Sequence, residues 1–234
     1  MRTFNFKKTK TQYKRFLDFF GNLFFTYCFI IGLALIVFSS VTVECEVVGS
    51  SMVPTLNDYS AIEKKKDTVF INTKDRDFCY GDIVVCETDS DPIIKRIIGL
   101  PEDVIDIVLV DNEYKVQRNG KILEEDYINI DKTLMDDDIN KNGNYSTYQK
   151  FQMLKKIKPY LFNNDEKLVV PSDSIFVLGD NRHVSVDSAT IGTFSFDKIN
   201  GKVELIKYAD ESEFSFYWSY IVDGKFVRTI INIF

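Results

Sequence analysis

One apolar run, residues 23–43, reads L-F-F-T-Y-C-F-I-I-G-L-A-L-I-V-F-S-S-V-T-V and carries no charge. Roughly 20 such residues are what a helix needs to cross the hydrocarbon core of a bilayer. A secretory leader has a shorter apolar region, about 7–15 residues, followed by a small-x-small cleavage site, and no such site is clear here. The run therefore predicts one transmembrane helix, with a buried helix of a soluble protein as the alternative. Past residue 56 the pattern shortens to β-branched segments bounded by polar turns. Strands are predicted at Thr68–Asn72, Asp82–Glu87, Ile93–Ile98, Val104–Val110, Tyr114–Arg118 and Lys121–Leu123, the fourth and fifth forming a hairpin around Asp111-Asn112. Strand signals return at Leu168–Val170, Ser174–Leu178 and Lys202–Ile206.

Residues 131–167 break this pattern. They are rich in Asp, Asn and Lys and read as a polar insertion. Ser146 with Gln149 three positions later makes a capping box, and Tyr148, Phe151 and Leu154 then share one helical face. One short helix ending before Pro159, with poorly ordered flanks, is expected. The tail, 207–234, is aromatic but broken by Asp223, Lys225 and Arg228, which argues against a second span.

Charge adds a direction. Of 234 residues, the first 22 hold Arg2, Lys7, Lys8, Lys10, Lys14 and Arg15 against Asp18 alone, a local +5; the net charge of −6 leaves −11 on the remainder. Basic residues before the run, with Glu44 and Glu46 after it, predict a cytoplasmic N-terminus and an extracytoplasmic body. An acidic body argues against nucleic acid, which needs clustered Lys and Arg. His183 is the single histidine and there is no C-x-x-C pair, so neither a metal site nor a cofactor is expected. Cys28, Cys45, Cys79 and Cys86 read as small buried side chains.

The candidate chemistry begins at 48–56, V-G-S-S-M-V-P-T-L, which puts hydroxyls, a flexible glycine and a stiff proline just after the span. Such a serine is either a loop residue or a nucleophile, and a nucleophile needs a base. A Ser-His-Asp triad would have to use His183, which lies in a turn beside Arg182. Lysine serves as a base only when neutral, so its pKa near 10.4 must fall by about 3 units through desolvation. In D-P-I-I-K-R-I-I-G-L, Lys95 stands between two pairs of isoleucines. Strand alternation sends Lys95 and Arg96 to opposite faces, so only one of them enters a site, and Arg96 cannot act as a base. An edge-strand lysine that snorkels to water is the competing reading. About eight residues at 3.3 Å each keep Ser51 within roughly 26 Å of the end of the span.

Taken in order after one N-terminal span, V-G-S-S-M-V-P-T-L, G-D-I-V-V, I-K-R-I-I-G-L-P-E-D and G-D-N-R-H-V-S-V-D-S resemble the boxes of the bacterial type I signal peptidases. The likeness covers about 40–110 and 168–206. It implies a mainly β protein: a coiled antiparallel β-sheet catalytic body behind one transmembrane helix. The organisation would be a cytoplasmic basic segment (1–22), the span (23–43), an extracytoplasmic Ser/Lys peptidase domain (44–206) and a C-terminal tail (207–234). The resemblance implies Ser51 as nucleophile and Lys95 as general base. It implies Ser185 as the hydroxyl that orients the lysine amine, Asp187 as a structural acid, and Gly179-Asp180-Asn181-Arg182 as the floor of the site. The Ser51 backbone N–H would serve the oxyanion. Expected partners are the lipid bilayer and secretory preproteins with small residues at the cleavage site, for a monomeric enzyme without a cofactor.

Two departures stand out. Gly49 occupies the position where some members carry a hydroxyl that assists the oxyanion. Ala189 stands where the family usually has an arginine paired with the aspartate, which leaves Asp187 to find another partner, for which Arg182 is the candidate. These departures motivate a second reading, a catalytically weakened anchored β-domain that binds signal sequences or envelope partners. A self-cleaving Ser/Lys repressor is opposed by the span and the acidic surface.

Overall fold

The computed structural model describes residues 6–57, 66–111, 113–128, 146–209, 214–222 and 225–233, with backbone alone for 6–13, 37–41, 214–222 and 225–233. It separates into two units, Met1–Thr42 and Val43–Phe234. The first is one helix, α1 (Phe6–Val41, 36 residues). At 1.5 Å per residue it is about 54 Å long, well beyond the ~30 Å of a bilayer core. Within it, Lys14–Ile36 is apolar and long enough to cross a membrane, and its large side chains, among them Phe19, Phe25 and Phe29, are exposed. The helix starts within the basic segment and stops at Val41, so Thr42 and Val43 leave the expected span and begin strand β1 (Thr42–Glu46).

The second unit is built on two antiparallel sheets. The larger contains β1, β2 (Thr68–Asn72), β3 (Ile83–Cys86) and β4 (Ile93–Gly99). Later in the chain come β9 (Ser174–Leu178), β10 (Phe194–Ser195) and β11 (Ile199–Lys207), and the order across the sheet is β1-β2-β11-β3-β4-β9-β10. The smaller sheet, in order β7-β6-β5-β8, comprises β5 (Val104–Val110), β6 (Glu113–Arg118), β7 (Lys121–Ile122) and β8 (Leu168–Val169). Register shifts at Val203/Leu205, Ile199/Gly201 and Ile97/Gly99 mark the bends that let the large sheet curl. The hairpin pairs Ile105 with Arg118 and Val110 with Glu113, as the Asp111-Asn112 signal predicts.

The pattern assigns no element to the tail. The structure pairs β12 (Phe214–Val222) with β13 (Lys225–Ile233) and joins β12 to the end of β11 through Leu205–Lys207. Its aromatic and β-branched residues are strand formers.

The insertion is not an appendage. Helix α2 (Thr147–Ile157) carries the expected capping box: Gln149 N–H donates to Ser146 Oγ at 3.2 Å and Ser146 N–H to Gln149 Oε1 at 3.0 Å. Phe151 and Leu154 are buried with Ile98, Ile105, Phe176 and Ala189, and Tyr148 stacks on Tyr114 at 4.4 Å between ring centroids. The expectation of a poorly ordered flank is corrected on the C-terminal side. There Pro159–Leu161 forms a 3₁₀ turn, and Asn163 Oδ1 accepts from the Asp165 and Lys167 amides. The other flank, 129–145, lies outside the described residues.

Candidate active site

The loop that carries Ser51 is anchored at both ends by apolar residues and in the middle by backbone. Val47, Met52 and Leu56 are buried in one cluster with Val69, Ile83 and Ile206, which leaves Ser51 half-buried between them. Gly49 has φ +89°, a left-handed conformation that glycine adopts without Cβ strain, and it starts the turn into Ser50 and Ser51. Asn57 closes the loop by donating from Nδ2 to the Val47 and Gly49 carbonyls at 2.9 and 3.1 Å. Its own amide donates to the buried Asp67 carboxylate at 2.7 Å.

Strand β4 brings Lys95. Opposite β3 it pairs Lys95 with Val84; on its other side β9 ends at Leu178, opposite Arg96. Beyond that point Gly179 turns the chain back, with Asn181 N–H donating to the Ser51 carbonyl at 3.0 Å. A Cβ on Gly179 would stand 2.3 Å from Ser185 Oγ and 2.5 Å from the Ser51 carbonyl oxygen, so no other residue fits there. Lys95 is 2% exposed, and its Nζ lies 2.7 Å from Ser51 Oγ and 2.7 Å from the Ile94 carbonyl, to which it donates. Burial pushes the ammonium down to about 8, opposed by the Asp187 carboxylate and then by Cys86 and Asp180. About a tenth of Lys95 is then neutral at pH 7. The sequence argument asks for a fall of about 3 units; the site achieves slightly less because two carboxylates favour the charged form.

Arg96 does not stand idle on the opposite face. It makes a bidentate pair with the buried Asp180, Nε to Oδ1 at 2.9 Å and Nη2 to Oδ2 at 2.6 Å, and reaches Thr55 Oγ1 at 3.1 Å. Thr55 in turn donates to Asp180 Oδ2 at 2.5 Å. β4, the 51–55 loop and the 179–182 turn thus meet in one desolvated network, and Tyr127 covers it with its ring centroid 4.1 Å from the guanidinium carbon. The premise that only one of Lys95 and Arg96 enters the site is corrected: both side chains are long and both reach the 51–55 loop.

Two further expectations are corrected, the partner of Asp187 and the hydrogen bond from Ser185 to the lysine amine. Arg182 does not pair with Asp187; it forks onto Glu125 with contacts of 3.0 and 2.6 Å and donates from Nε to the Gly179 carbonyl. Burial disfavours its charge, but Glu125 more than offsets this and holds it ionised. Asp187 instead accepts backbone donors, Gly179 N–H at 3.0 Å and Ala189 N–H at 3.1 Å, and so caps the short helix α3 (Ser188–Ile191). Ser185 Oγ is fully buried and makes no hydrogen bond among the described residues. It packs beneath Gly179, while the Lys95 amine is already engaged by Ser51 and Ile94. His183 makes no hydrogen bond to Ser51, and its Nδ1 is buried without a partner among the described residues.

Residues missed from the sequence are Asn57, Thr55, Glu125, Tyr127 and Lys150. Thr55 stands in the first box and Asn57 just after it, but nothing there announces their contacts; Glu125, Tyr127 and Lys150 lie outside the boxes and are brought in by contacts distant in the chain. Among the described residues no cluster of His, Cys, Asp or Glu is arranged to hold a metal ion. A cavity of about 420 Å³ beside the turn, lined by Val53, Tyr114, Glu125, Thr147 and Arg182 among others, includes neither Ser51 nor Lys95.

The chain has known relatives. The family model described as "Signal peptidase, peptidase S26" matches residues 20–208. A signal peptidase IB of Staphylococcus aureus is 33% identical over 172 residues, covering 72% of this chain and 78% of that protein. A signal peptidase I of Bacillus amyloliquefaciens is 31% identical over 159 residues, 68% of this chain and 71% of its own length. The crystal structure of a signal peptidase I from Enterococcus faecalis is 25% identical, covering 54% of this chain and 97% of that one, with a TM-score of 0.36. A match over four-fifths of the chain, on residues that include the 51, 95 and 179–187 segments, leaves one assignment: the chain belongs to the signal peptidase family, peptidase S26, and is a serine peptidase.

Proposed function

We propose that this protein is a membrane-anchored signal peptidase that cleaves secretory preproteins through a Ser51/Lys95 dyad. The observation that carries the reading is the 2.7 Å contact between Ser51 Oγ and a lysine amine that is 2% exposed. Neutral Lys95 takes the Ser51 proton as Oγ attacks the scissile carbonyl. The resulting ammonium protonates the leaving amine, and an acyl-enzyme remains. Lys95, neutral again, takes a proton from water; hydroxide addition and collapse release the acid and return Ser51.

The negative oxygen formed in each step needs donors placed in advance. Among the described residues the Ser51 N–H donates to no protein acceptor, which suits it to that role. Asp180 and Arg182 hold the turn under the site, Asp187 caps α3 behind it, and Ser185 fills the wall behind Gly179. α1 serves as the anchor, with its basic end cytoplasmic and the catalytic body on the extracytoplasmic side. The substrates are preproteins with small residues at the cleavage site, held at the bilayer, and a single chain supplies both members of the dyad, which suits a monomer.

The test is processing of a preprotein in vesicles by the wild type, Ser51→Ala and Lys95→Ala. Loss of cleavage in both variants, with membrane insertion intact, is the expected outcome. Peptide binding with no cleavage by the wild type would favour the weakened β-domain.

A further inference from the structure

α2 reaches into the back of the catalytic turn with one side chain. Lys150 is 9% exposed and donates all three protons of its ammonium to backbone carbonyls: Arg182 at 3.0 Å, His183 at 3.0 Å and Ser185 at 2.7 Å. A lysine has three donors, so this set satisfies it completely. The carbonyls belong to the segment between the floor of the site and Asp187. From there the path to the nucleophile is short: Ser185 N–H donates to the Asn181 carbonyl at 3.1 Å, and Asn181 N–H donates to the Ser51 carbonyl at 3.0 Å.

The same ammonium answers a charge question. Asp187 is 1% exposed, Ala189 offers it no cation, and Arg182 is committed to Glu125. The Asp187 carboxylate acts on both Lys95 and Lys150. The groups facing Lys95 are Cys86 on β3, Asp180 in the turn and Asp187 at the head of α3, with Arg96 already held by Asp180. Those facing Lys150 are Asp187 and His183.

We propose that Lys150 is a positioning residue of the active site, through which α2 fixes the 182–185 backbone under Ser51 and sets a counter-charge against Asp187. The inference rests on the dyad reading. It makes the polar insertion part of the catalytic apparatus. It also places a cation near Asp187 in a chain with alanine at 189, while backbone N–H groups of Gly179 and Ala189 hold the carboxylate itself.

The experiment uses the full-length chain in detergent micelles and compares Lys150→Met, Lys150→Gln and Lys158→Met. Lys158 also ties α2 to α3, through the Ile191 carbonyl at 2.8 Å, and so controls for simple loosening of the helix. In Lys150→Met, kcat falls about tenfold or more with KM little changed. The acid limb of its pH profile moves up by about 0.5–1 unit, because Asp187 then favours the Lys95 ammonium without opposition. Lys150→Gln keeps amide donors but shows the same shift. Amide exchange of the 179–187 segment rises about tenfold in Lys150→Met.

Lys158→Met lowers the thermal midpoint but leaves the limb in place. An unmoved limb together with unmoved exchange in Lys150→Met overturns the proposal, as does an equal shift in Lys158→Met. Failure of both Lys150 variants to fold would overturn it too, since the residue would then support the whole body. A wild type that cleaves nothing counts against the dyad reading, while the exchange measurement still decides this one.

Discussion

Lys95 and Lys150 are both buried by nine-tenths or more, and both lie within the field of Asp187, yet their surroundings give them opposite work. Lys150 meets three carbonyl oxygens, a full set of acceptors for an ammonium. Lys95 meets one carbonyl and a serine hydroxyl, and that hydroxyl can turn round and donate once the amine is neutral. Burial alone therefore does not make a lysine a base. What matters is whether its neighbours remain satisfied when the proton leaves.

The comparison breaks most sharply at the dyad. Ser51→Ala and Lys95→Met each should lower kcat/KM by about 10³-fold or more while circular dichroism stays unchanged, because each removes one half of the activated nucleophile. Next is Gly179→Ala. Its Cβ would press on the Ser51 carbonyl, which is backbone and cannot swing away, so a drop of about 10²-fold in kcat is expected from misplacement of the nucleophile.

A smaller effect comes from pH. The acid limb of kcat/KM should show an apparent pKa near 8, with activity rising as pH passes through it. The same group should raise stability between about pH 8 and 10.5. In that window the unfolded chain still binds the proton that the folded Lys95 has lost, and urea midpoints across the range measure the gain. A profile flat down to pH 5 would remove Lys95 as the base. Ser146→Ala is the mildest test: losing the cap of α2 should cost about 1 kcal/mol in thermal unfolding, while Lys95 and its pH limb stay in place.

Legibility from sequence followed how local the determinant was. The span, the 104–118 hairpin and the capped helix at 146 depend on runs and caps within one segment, and periodicity or turn chemistry reveals them. The isoleucine neighbours of Lys95 offered desolvation, but its role as base came from the resemblance of its box. Asp187 and Arg182 were named as site residues from their box, but the pairing expected between them does not form. Arg182 found Glu125, 57 positions away, because β6, β7 and the loop after them fold back beside the turn. Charge count along the chain says nothing about which carboxylate arrives. Lys150 was hidden for the same reason: in a polar stretch a lysine reads as solvated until its helix packs.

By itself, then, the amino-acid order settled the kinds of element and the chemical potential of single residues: an apolar helix, short antiparallel strands, a serine after a glycine turn, and a lysine in an apolar strand. Those follow from local sterics and from transfer free energies, which act at each position separately. Pairing was decided only by tertiary structure. The end of β9 at Leu178 opened the space in which Ser51 meets Lys95, and the packing of α2 on Ala189 brought Lys150 to the turn behind it. Hydrogen bonds and ion pairs act over about 3 Å, so their partners exist only after the sheets have curled and brought distant segments that close.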